Sequence, residues 1–176
     1  MNPDEKFQAE QIKSDRDHHT PTAAAMISHI LANLFIHRTK LRQANYYLKG
    51  HVRSFSEDKL VGMIADEDHF FDTLSQKVLA EGELVPTTLK EFSDYAMIKE
   101  SGKLKYESDT VILREFIMDL ATQNLFVTRG ITLAEKEAKF GLADFLKELY
   151  GWIKEQELIW QRYLGEDGIS QLEEDE

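Results

Sequence analysis

"VPTTLKEFSDYAMIKESGKLKYESD", residues 85–109, stands between two pairs of long helical patterns, and its length decides how those pairs connect. Thr88 and Glu91 stand three apart, as a capping box requires, so a short helix is expected early in this stretch. "KESGKLKYESD" reads as loop. Before the connection, one helix is expected from about Thr20 to Lys49, with Thr20 as cap and Pro21 in the first position. Its apolar stripe is Ile27, Ile30, Leu31, Leu34, Phe35 and Leu41. A second is expected from about Ser54 to Gly82. There "SFSE" offers a capping box, and Leu60, Met63, Ile64, Phe70, Phe71, Leu74 and Val78 form the stripe. After the connection, the spacing predicts a helix from Asp109 to Thr128 or slightly beyond, with Val111, Phe116, Ile117, Leu120 and Phe126 inward. A last one is predicted from Phe140 to Tyr163, with Phe145, Leu149, Trp152, Ile153, Trp160 and Leu164 inward. Short, long and short joins between four long helices define an all-α, ferritin-like four-helix bundle with a short helix in the middle crossover. Residues 1–19 form an N-terminal extension that can be helical. Residues 20–166 make the bundle, and 167–176, ending "LEEDE", an acidic tail.

The chain of 176 residues is the size of one domain. It has no cysteine, which excludes disulfides, thiolate metal sites and cysteine nucleophiles. No apolar run approaches the ~20 residues that cross a bilayer, and the N-terminus lacks a signal-peptide core, so no membrane partner and a cytoplasmic location are expected. Acids outnumber bases 32 to 21, for a formal charge of −11. That argues against a general nucleic-acid binder, which carries a basic footprint, but leaves room for local basic patches.

The segments "NYYLKG", "DTLSQK", "AEGELV" and "PTTLKEF" fall in order between Lys40 and Phe92, and "ELIWQRYLG" lies near the end. Together they resemble the Dps family (DNA-binding proteins from starved cells, or mini-ferritins), in a form like that of lactic acid bacteria. The likeness spans roughly residues 25 to 166. It implies a hollow shell of twelve identical subunits. Members of the family commonly oxidise ferrous iron, often with peroxide, and store ferric mineral; some bind DNA. Their iron site lies between two subunits. One chain gives a His five residues before a turn glycine and His or Asp seven and eleven after it; the other gives an Asp and a Glu four apart.

By that resemblance, the first His position is Asn45, the next two are Glu57 and Val61, and the carboxylate pair is Asp72 and Gln76. Iron takes anionic oxygen or imidazole ligands. Amides bind it weakly and valine not at all, so the usual ferroxidase centre is expected to be largely lost. Two other clusters could take a divalent ion. Asp68 and His69 precede Asp72 on one helical face, and Asp15, Asp17, His18 and His19 crowd the end of the extension. For both, a solvated polar stretch is the favoured reading. Trp160 falls on the family's tryptophan near the iron site, but also fits a bundle core.

In the extension, Lys6, Lys13 and Arg16 share one stripe if it is helical. Twelve such arms on one shell could hold DNA without sequence preference, through multivalency. Two functions therefore stay open: a nucleoid-associated protein that protects DNA, or an iron-storing ferroxidase with a rearranged centre.

Overall fold

The computed structural model describes residues 1–166; the acidic tail lies outside the described residues. Six α-helices run in order: α1 Pro3–His19, α2 Ala23–Tyr47, α3 Gly50–Ala80, α4 Leu89–Tyr95, α5 Asp109–Lys136 and α6 Phe140–Tyr163, with a 3-10 turn at Leu104–Tyr106. The hairpins α2–α3 and α5–α6 pack into the bundle, and the crossover carrying α4 lies along α2. Among the described residues, no helix is long and apolar enough to cross a membrane.

Most ends follow from local chemistry. Asn2 and Glu5 form a capping box that starts α1, with Pro3 at its first position. Thr88 and Glu91 do the same for α4. α2 begins two residues later than the expected cap and first residue, Thr20 and Pro21. Thr20 instead closes α1, its amide reaching Arg16 O, and Thr22 caps α2, accepting a hydrogen bond from the Ala25 amide. α3 begins four residues earlier than expected, and "SFSE" lies within it. Its cap position, Lys49, makes no side-chain capping bond. In α5, Phe116, Leu120 and Phe126 are buried as expected, but Val111 is 44% exposed and Ile112 and Leu113 take the inward positions of the first turn.

Two of the helix ends share one device with different residues. After α3, the amide of Glu83 reaches Val78 O at 3.2 Å and that of Gly82 reaches Leu79 O at 3.0 Å. Gly82 takes the left-handed backbone this Schellman closure needs, at φ 75°. After α5, Lys139 N reaches Ala134 O at 2.8 Å, but the left-handed residue is Ala138, at φ 57°. An L-residue with a Cβ is disfavoured there by roughly 1–2 kcal/mol. Ala138→Gly should therefore raise the unfolding free energy by about 1 kcal/mol, read by chemical denaturation. A loss of stability would contradict the strained turn.

The core is continuous. Trp160, Phe116, Leu31, Leu74, Leu113, Leu120 and Leu149 are fully buried. The crossover is pinned to α2: Asn33 Oδ1 accepts the amides of Met97 at 2.7 Å and Ile98 at 3.3 Å, and Phe35 stacks on Phe92 at 4.4 Å. These contacts order a long connection that has little helix of its own.

Candidate functional site

The ligand positions come from the end of α2 and from two stretches of α3. Asn45 lies near the end of α2 and Glu57 in the third turn of α3; Asp72 and Gln76 lie fifteen and nineteen residues past Glu57. At 1.5 Å per residue, about 22 Å of helix separates Glu57 from Asp72. One chain cannot bring the two sets to one ion, so a shared centre needs a second copy.

Within the first set, Arg53 occupies the ground. Its guanidinium donates to the backbone oxygen of Asn45 and, at 3.0 Å, to Glu57 Oε1. The single carboxylate of this set is thus already paired with a cation. The side-chain oxygen of Asn45 is buried and accepts no hydrogen bond among the described residues. Val61 is 53% exposed and offers no donor atom. Asp72 and Gln76 are exposed one turn apart on α3. An amide, a valine and a carboxylate held by arginine do not fit iron, whose ligands are anionic or imidazole.

The other clusters come apart. Asp68 is bound by Arg38 and, at 3.5 Å, by Arg42 Nη2, while His69 lies against Phe70. The expected Asp68–His69 metal face is therefore occupied by guanidinium. Arg38 itself is held over the rings of Phe35 and Phe71. In α1, Asp17 pairs with Lys13 at 2.8 Å and with Arg16 at 3.6 Å. His19 Nδ1 bonds the backbone oxygen of Asp15 at 2.8 Å. The side chain of His18 lies outside the described residues. Among the described residues, no three His, Asp or Glu side chains converge as metal ligands.

α1 docks by its last two turns. Lys13 Nζ reaches Glu83 Oε2 at 2.9 Å, and Glu83 Oε1 is held by Lys139 at 3.0 Å. The hydrogen bonds it donates to Asp17 and Glu83 hold the Lys13 ammonium above its ordinary range, and the one Glu83 accepts from Lys13 draws that carboxyl below its own. Ser14 meets the Tyr95 hydroxyl at 3.1 Å. Residues 1–9 are all exposed, Lys6 among them, and the Arg16 side chain is 71% exposed. Of the three cations on the expected stripe, Lys13 is turned to the body as an anchor.

The interior holds a buried polar feature outside the expected site residues. His37 of α2 and Glu67 of α3 are fully buried, with Nδ1 and Oε1 2.5 Å apart. One turn along, Lys40 is 3% exposed and lies 2.5 Å from Asp119 and 3.0 Å from Glu115 of α5. Burial pushes the carboxyls of Glu67 and Asp119 above their ordinary range, against the pull of His37 and Lys40. Asn33, His37 and Lys40 at i, i+4 and i+7 share the inward face of α2, and that spacing was the available signal.

Two paired helical hairpins and a helix-bearing crossover make this a ferritin-like bundle protein. The structure of the Lactococcus lactis DpsB protein is 41% identical, superposes with a TM-score of 0.88, and matches 93% of this chain and 94% of its own. Lactococcus lactis DpsA is 39% identical with a TM-score of 0.90, over 96% of this chain and 99% of its own. The chain belongs to the Dps family. The DNA protection during starvation protein of Listeria innocua is 24% identical over 139 residues, 79% of this chain and 89% of that protein. No family model matches the chain.

Proposed function

We propose that this protein binds and shields DNA as a shell of twelve copies in the cytoplasm, associated with the nucleoid, and that it has largely given up iron oxidation. The observation that carries the reading is α1: its C-terminal turns are anchored through Lys13 and Glu83, while Lys6 and Arg16 stay exposed. The kinship with a relative named for DNA protection supports it. The acidic chain, at −11, repels duplex elsewhere, so contact concentrates on such arms. Each arm binds feebly, and many arms on one particle bind well. Arm contacts go to phosphates, so sequence preference is small and salt dependence steep.

Light scattering should give twelve times 20.4 kDa. In a mobility-shift assay the full-length protein should retard duplex DNA at low salt and release it as salt rises. Lys6→Gln with Arg16→Gln removes two phosphate contacts per engaged arm, which should flatten the log–log salt slope by about 2 for each arm. Unchanged retardation by the double variant would remove α1 from the contact. Should the unaltered protein fail to shift duplex even at low salt, iron storage at a rearranged centre becomes the better account.

A further inference from the structure

The acidic chain contains one long segment without any acid. From Arg38 to Ser56 there is no Asp or Glu, but there are five Lys or Arg and His51. Several of these cations serve the body, through Asp68, Asp119 and Glu57. Lys49 and His51, at the α2–α3 junction, are exposed.

The crossover brings further lysines to the same end of the bundle, interleaved with Glu100, Glu107 and Asp109. Gln43 of α2 donates to the backbone oxygen of Ser101 at 3.2 Å, tying the loop down. The 3-10 turn then sets Lys105 between two aromatic rings, 5.0 Å from the centre of Tyr47 and 5.1 Å from that of Tyr106. Tyr47 is 44% exposed and Tyr106 79%. Lys103, on the same turn, is paired loosely with Glu107 at 3.8 Å, both side chains exposed.

We propose that this end of the bundle is a binding surface for single-stranded nucleic acid, separate from α1. Exposed phenol faces beside cations are what an unpaired strand needs: bases stack on rings while ammonium groups meet phosphates. Lys105 now lies against π-faces that a base would cover, and displacement would free it for the backbone. A duplex gains little here, because its bases are already stacked on one another and present no faces. The acid-free junction removes the repulsion a polyanion meets over most of this chain.

The probe is a short labelled oligothymidylate, which has no secondary structure, titrated into the full-length protein and read by anisotropy. Tyr106→Ala should weaken its binding at least about fivefold, the low end of the loss of one base–aromatic stack. Tyr106→Phe, which keeps the ring, should restore it. Lys49, Lys103 and Lys105 changed together to Gln should flatten the salt slope by about 2, since each phosphate contact to a single strand contributes about 0.7. With Lys6→Gln and Arg16→Gln in place, Tyr106→Ala should still cause its loss of oligothymidylate binding, so failure of the α1 reading and failure of this one are told apart. The proposal falls if the full-length protein ignores oligothymidylate, or if Tyr106→Ala binds it as before. It also falls if Tyr106→Ala lowers the particle mass in light scattering, which would make the tyrosines a contact between copies.

Discussion

Glu67→Ala is expected to lower the unfolding free energy by about 3–5 kcal/mol, the usual cost of stripping one partner from a fully buried pair. Glu67 and His37 have no exposed surface, and 2.5 Å separates them. Water cannot screen or replace the lost group, and His37 already has one ring nitrogen, Nε2, without a hydrogen bond among the described residues. Changing both residues to leucine should cost far less than either loss alone, because neither a charge nor an unsatisfied polar atom is left behind. Denaturation at one fixed chain concentration makes the comparison, since assembly feeds into apparent stability. An alanine variant within about 1 kcal/mol of wild type would mean the pair is solvated. The pH dependence has a definite sign. Burial raises the Glu67 carboxyl above its ordinary 4.5, so the folded state holds that proton more tightly than the unfolded chain. The stability from protonated Glu67 is complete below 4.5 and is lost as pH rises through the raised value. Other carboxylates, such as Glu83, carry the opposite sign. The readout is therefore the difference between wild type and Glu67→Gln, which should lack this decline.

The helices were legible because their chemistry is local. The ends of α6 fall where the spacing puts them, and Thr88 with Glu91 marks α4 unaided. The short, long, short rhythm of the joins carried the topology. Errors arose where two local signals competed. Thr20 and Thr22 both offer a capping hydroxyl, and because Thr20 closes α1 the start of α2 falls to Thr22. The five ligand positions were legible only through resemblance; nothing in the spacing of Asn45 and Glu57 marks them as neighbours. Arg53 was missed although Arg53–Glu57 is an ordinary i, i+4 pair, because surface pairs are common and carry little information. His37, Glu67, Lys40 and Asp119 were missed for a deeper reason. A charged residue on an apolar stripe normally signals a stripe edge, and although spacing puts Asn33, His37 and Lys40 on one face of α2, it does not say which helix holds their partners.

Oxidation of added ferrous iron is expected to run barely above the protein-free rate, and restoring donors is expected to raise it by at least about tenfold, as ligand-shell changes do elsewhere. Iron here is substrate, and its capture depends on donors that repay the loss of bound water. Asn45 and Gln76 present neutral amides, and Val61 presents carbon. Glu57 is a proper donor, but Arg53 holds it at 3.0 Å, and a guanidinium beside the site repels a divalent cation. Asp72 alone would bind too weakly to collect iron. Asn45→His with Gln76→Glu supplies an imidazole and a second carboxylate where two copies would meet. Adding Arg53→Ala should increase the gain further, because it frees Glu57. The measurement is the appearance of ferric absorbance after air or peroxide is admitted to an anaerobic mixture, with light scattering as the control that assembly survives. Fast oxidation by the unaltered protein, abolished by Asp72→Ala, would show that a rearranged centre is at work and that Asp72 belongs to it. Slow oxidation in every variant, with assembly intact, would mean that the backbone no longer sets these positions around one ion.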